Sequence, residues 1–72
     1  MTFIEFVKEV RTNMKMSQHK FAKEININYT TLNRWEKKKI VPSRLARKSF
    51  FEFCKLHDIS VPNEVLEESE FL

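Results

Sequence analysis

Apolar residues return at intervals of three and four along most of this chain, and each run opens on a residue able to cap a helix. Thr2 stands before Phe3, Phe6, Val7, Val10 and Met14, with Glu5, Lys8, Glu9 and Arg11 on the intervening face, which predicts a first helix over residues 3–14. Ser17 stands before Phe21, Ala22 and Ile25 and predicts a second over residues 17–25. Asn26 then tolerates the left-handed backbone that closes a helix, Ile27 is apolar, and Asn28 caps a third helix over residues 28–38. Lys37, Lys38, Lys39, Ile40 and Val41 read as a linker, because the residue before Pro42 is biased away from helix.

Ser43 caps a fourth helix over residues 44–57, with Leu45, Phe50, Phe53, Cys54 and Leu56 expected in the core and Phe51 expected at the surface. Ile59 and Val61 are expected as extended anchors, and Asn63 as the cap of a short acidic helix bearing Val65, Leu66 and Phe71. The expected fold is therefore all-α, with four to five short helices. Residues 1–60 form its one domain and residues 61–72 an acidic C-terminal tail.

A chain of 72 residues sits near the size at which an unassisted core is only marginally stable, and a dimer would bury more surface. Phe51, Ile59, Val61, Val65, Leu66 and Phe71 exceed what four short helices can hide, which points the same way. The lone Cys54 has no disulfide partner and fits a reducing compartment. With no long apolar stretch and no basic-then-apolar N-terminus, the expectation is a cytoplasmic protein with no membrane partner.

The net charge of +3 conceals a segregated distribution. Residues 8–55 hold all 13 Lys and Arg against Glu9, Glu24, Glu36 and Glu52, thirteen less four, a net +9. Residues 58–72 hold Asp58, Glu64, Glu67, Glu68 and Glu70 and no basic residue, a net −5, and Glu5 accounts for the remaining charge. A basic block of this density is what phosphate neutralisation requires, whereas the acidic tail should stay off a nucleic acid.

The third helix says where such a ligand would lie. At about 100° per residue from Tyr29, Leu32 and Trp35 fall near 300° and 240°, while Tyr29, Asn33, Lys37, Thr30 and Arg34 fan from 0° to about 140°. One face is dry; the other carries a guanidinium fork, an amide, hydroxyls and an ammonium, the groups that bond base edges and phosphates in a major groove.

The run Ser17-Gln18, Phe21-Ala22, Ile27, Thr31-Leu32-Asn33-Arg34-Trp35-Glu36 and Pro42-Ser43 resembles the Cro/phage-repressor type of helix-turn-helix, the XRE family, over residues 3–60. The resemblance implies a lambda-repressor-like fold and sequence-specific binding to double-stranded DNA by a transcriptional regulator, a repressor of its own or another promoter. Carried over by position, Tyr29, Thr30, Asn33 and Arg34 contact bases, with Arg34 the candidate for guanine. Ser17, Gln18, Asn28, Thr31, Lys37, Lys38 and Arg44 contact phosphates, Gln18 from the start of a helix whose free N–H groups favour an anion. The family commonly pairs the residues at Arg11 and Glu36. It commonly places glycine where this chain has Asn26 and Lys38, so the end of the third helix is expected to run on by a residue or differ in shape.

Rival readings of the same residues are structural. Trp35 beside Leu32 fits a core, not a base-stacking platform, and so do Phe50 and Phe53. His19, His57 and Cys54 lack metal-ligand spacing, so no metal or other cofactor is expected. Ser17, Ser43 and Ser49 have no base partner, and a chain without glycine has no phosphate loop, so no enzyme is expected. Three other functions remain: the antitoxin of a toxin pair, with the C-terminal region holding a toxin or other protein; a phage-encoded switch protein; and a protein-interaction module that has lost DNA. The expected partners are double-stranded DNA and, as an open possibility, a second copy of the chain.

Overall fold

The computed structural model describes residues 1–37 and 42–70. Five helices make up the fold among them: α1 (Phe3–Asn13), α2 (Gln18–Glu24), α3 (Tyr29–Glu36), α4 (Arg44–Leu56) and α5 (Asn63–Glu70). The expectations for Lys38, Lys39, Ile40, Val41 and Phe71 lie outside the described residues.

The caps explain where the helices begin. Thr2 Oγ1 accepts from Glu5 N while Glu5 Oε1 accepts from Thr2 N, a reciprocal box that satisfies two donors at the start of α1. Ser17, Asn28 and Ser43 accept in the same way from Lys20 N, Thr30 N and Ala46 N. Asn63 departs from expectation: it is the first residue of α5, and the Pro62 carbonyl accepts from Val65 N and Leu66 N.

Three helices end alike. Lys15, Asn26 and Asp58 have φ of 55°, 60° and 54°, and the following N–H reaches back five residues: Met16 to Arg11, Ile27 to Ala22, Ile59 to Cys54. This is the left-handed closure that glycine usually makes, built here without any glycine. A Cβ in that conformation costs about 1–2 kcal/mol, of which glycine's greater unfolded-state freedom takes back about half. Lys15→Gly should therefore raise the unfolding free energy by about 0.5–1 kcal/mol. Chemical denaturation checks this, and a loss of stability would show that Lys15 gains something specific from its side chain.

The core is aromatic. Phe50 of α4 meets Phe3, Phe6 and Phe21 edge-on at 5.5, 5.8 and 6.3 Å, Phe3 also meets Trp35 at 5.6 Å, and Phe21 meets Phe53 at 5.4 Å. Edge-to-face pairs at these separations exploit the ring quadrupole as well as burial. Val7, Val10, Ala22, Ile25, Leu32 and Cys54 fill the gaps. Burial pushes the Cys54 thiol up to about 11, which keeps it protonated and inert.

Three core assignments are corrected. Leu45 and Leu56 are 76% and 82% exposed. They lie eleven residues apart, nearly in line along α4, on the side away from Phe50 and Cys54, and the buried Arg47 takes a place on the inner face. Conversely Phe51, expected at the surface, is half-buried and edge-on to Phe3 at 5.6 Å.

Helix α5 packs on α1. Val65 is fully buried, and Glu68 Oε2 accepts from Phe3 N at 2.9 Å, satisfying another donor at the start of α1. Ile59 and Val61 lie half-buried against the core, so most of the apolar surplus near the C-terminus is used within the chain.

Candidate nucleic-acid interface

Helices α2 and α3 pack together around Phe21, Ala22, Ile25, Leu32 and Trp35, all within 2% of complete burial. Ala22 has no side chain beyond Cβ, which allows the close approach, and the corner at Asn26 turns the chain between them. With Leu32 and Trp35 anchored in the core and Glu36 turned toward α1, the opposite side of α3 faces outward. Tyr29, Thr30 and Arg34 are exposed; Thr31 and Asn33 are half-buried.

Arg34 makes no hydrogen bond or ion pair among the described residues, so its fork is available to a ligand. Asn33 is committed in part: its Nδ2 donates to Gln18 Oε1 at 3.0 Å, which links α3 to the start of α2. The sequence expectation had these two residues acting separately on base and phosphate. Instead they touch, and the contact fixes the orientation of both amides.

Behind them lies an ion pair. Arg11 Nε and Nη2 donate to Glu36 Oε2 and Oε1, each at 2.7 Å, and Nη1 donates to the Met16 carbonyl at 2.9 Å. The side chains are only 18% and 6% exposed. Burial alone would raise the Glu36 carboxyl, but hydrogen bonds from Arg11 and Gln18, with the charges of Arg11 and Lys8, outweigh it and hold the group below the usual carboxylate range. The bond to Glu36 likewise raises Arg11 against its own desolvation. A polar chain thus runs from Arg11 of α1 through Glu36 of α3 and Gln18 of α2 to Asn33 on the outward face.

A second link escaped the sequence reading. His19 and Tyr29 stack with centroids 3.7 Å apart and planes within 11°. Both occupy the first turn of their helices, but the pairing depends on how α2 crosses α3, which periodicity alone does not give. The stack holds one face of the Tyr29 ring and leaves its phenol at the surface.

Ser17 and Asn28 spend their side-chain oxygens on capping, which leaves the hydroxyl hydrogen of one and the amide hydrogens of the other for an anion. Lys37 ends α3 and Arg44 begins α4, both exposed; Lys38 lies outside the described residues. No described helix is long and apolar enough to cross a membrane.

Comparison with known proteins agrees with this geometry. Neither the curated proteins nor the solved structures gave a match. A family model described as helix-turn-helix matches residues 7–45, which takes in most of α1, all of α2 and α3, and the first two residues of α4. That match spans more than half of the chain, and the protein belongs to the Cro/C1-type helix-turn-helix family of DNA-binding transcriptional regulators.

Proposed function

We propose that the protein is a sequence-specific repressor that reads double-stranded DNA by laying the outward face of α3 in the major groove. Support comes first from Arg34, an unpaired guanidinium at the exposed face of a helix whose other face is locked by Leu32 and Trp35. In this reading Tyr29, Thr30, Asn33 and Arg34 meet base edges, with Arg34 forking to guanine O6 and N7. Asn33 reads with the carbonyl oxygen and the amide hydrogen that Gln18 leaves it, so its specificity is set partly by its neighbour. Ser17, Gln18, Asn28, Thr31, Lys37, Lys38 and Arg44 hold phosphates and fix the register. Repression follows if the site overlaps a promoter, since a bound domain excludes polymerase.

Arg34→Ala should cost about 1–3 kcal/mol on the best site and little on random duplex, relaxing preference at one position per half-site. Sequences selected from a random duplex library by the wild-type and variant chains provide the comparison. Equal loss on selected and random DNA would reduce Arg34 to a phosphate ligand.

One observation favours an antitoxin as the second reading. Helix α5 exposes Glu64 and Glu67 on one side and the 41%-exposed Leu66 about 100° further round, an acidic surface with an apolar neighbour that a basic protein could hold. Purification of the chain with a tightly bound, separately toxic protein would favour this reading.

A further inference from the structure

Two columns of side chains share the outward side of α3. At about 100° per residue, Tyr29 and Asn33 lie within about 40° of each other, and Thr30 and Arg34 form a second such pair about 100° further round. The first column is braced from α2 and the second is not. Gln18 accepts from Asn33 Nδ2, and His19, the next residue on α2, lies ring on ring against Tyr29 at 3.7 Å and 11° from parallel. The side chains of Thr30 and Arg34 make no hydrogen bond, ion pair or ring contact among the described residues.

Both rings of the stack stand at the surface, Tyr29 with 37% of its area exposed, so the contact is not part of the core that holds the fold. A free surface tyrosine turns about two side-chain bonds, and fixing it against a base edge costs that freedom. A flat ring already pressed on its face removes the freedom before DNA arrives. The stack also leaves only the opposite face and the hydroxyl edge of Tyr29 open to a duplex. Tyr29 is the first residue of α3, at the end from which a recognition helix reaches base edges.

We propose that His19 is a specificity-determining positioning residue: from α2 it fixes the Tyr29 ring on the groove face and sharpens base choice at the position Tyr29 meets, without touching that base. The inference rests on the groove-reading function of α3 and deepens it. The outward face divides into a braced column, Tyr29 and Asn33, whose discrimination depends on α2, and a free column, Thr30 and Arg34, whose discrimination does not.

Two measurements on the full chain test this. Proton magnetic resonance reads the stack without DNA. Tyr29 is the only tyrosine in the chain, so the His19 ring protons, identified by their loss in His19→Ala, should lie upfield of their place in Tyr29→Ala. Selection from a random duplex library, followed by titration, reads its consequence. His19→Ala should lower discrimination about two- to tenfold, the equivalent of one stacked pair, at the same base position that Tyr29→Ala affects, and leave the position read by Arg34 unchanged. His19→Phe, which keeps a flat ring, should restore most of that discrimination. Adding His19→Ala to Tyr29→Ala should change almost nothing further. Both positions are exposed, so all these variants should melt close to the wild type. Ring protons unmoved by Tyr29→Ala would show that the stack is absent and overturn the proposal. Equal loss on selected and random duplex, additive effects of the two alanines, or His19→Phe no better than His19→Ala would overturn it as well. A chain that selects no sequence while its ring protons remain shifted would instead locate the failure in the groove-reading function, and the positioning role would fall with it.

Discussion

Arg11→Met should destabilise the fold by about 3 kcal/mol and reverse the way its stability responds to mild acid. The wild-type pair is bidentate at 2.7 Å and almost closed to solvent on the Glu36 side. Its worth relative to an apolar pair is small, because two charges must be desolvated, but removing one partner leaves the other charge buried and leaves the Met16 carbonyl without its donor. The 18% exposure of Arg11 places the loss at the lower end of what broken buried pairs cost.

The pH dependence follows from the direction of the Glu36 shift. In the wild type its folded pKa lies below the unfolded value of about 4.3, so the stabilisation is complete above that pH and fades as pH falls through the folded value. In the variant, burial is opposed only by Gln18 and Lys8, and the folded pKa should rise above the unfolded one. Stability then stands below about pH 4.3 and declines as pH rises through the folded value. Urea titrations of both chains at several pH values provide the check, with Arg11→Met/Glu36→Leu expected to recover most of the loss. A variant with wild-type slope and less than about 1 kcal/mol of loss would mean the pair is effectively solvated. Because Glu36 also touches Gln18, and Gln18 orients Asn33, base discrimination at the Asn33 position should weaken along with stability.

That dependence marks how far the sequence could be read. Period and caps located α1 to α4 to within a residue or two, since Thr2, Ser17, Asn28 and Ser43 each precede an apolar repeat and no tertiary contact overrides them. Trp35 could be assigned to the core from its angle relative to Leu32. The failures on α4 share one cause: helical phase says which residues align, but not which aligned set faces inward. On α4 two leucines and three phenylalanines competed for one face, and the aromatic cluster centred on Phe50 won. Lys15 and Asp58 carried no signal of a left-handed turn, because neither is the glycine or asparagine that usually marks one. The His19 and Tyr29 stack and the Gln18 and Asn33 contact need the crossing of two helices and were invisible to any single-helix argument.

The same limit applies at the C-terminus, where composition suggested a tail and packing makes it part of the fold. Deleting residues 63–72 removes Glu64, Glu67, Glu68 and Glu70 and raises net charge from +3 to +7, so attraction to any duplex should strengthen, most at low salt where screening is weakest. It also removes the fully buried Val65, the cover over neighbouring core residues, and the carboxylate that holds Phe3 N. Burial of one valine and a charge-assisted hydrogen bond together amount to about 3–5 kcal/mol, a large part of what a domain of this size can have in reserve. The truncated chain should therefore melt well below the full one, and its gain in non-specific affinity should appear only at temperatures where it remains folded. Two variants separate the effects. Val65→Ala should lower the melting temperature and leave low-salt binding to random duplex unchanged, whereas Glu64→Gln/Glu67→Gln, at exposed positions, should tighten that binding and leave the melt nearly unchanged. If the double glutamine variant binds random DNA no more tightly at low salt, α5 does not oppose the duplex, and its acidity belongs to the second reading, a surface held by another protein.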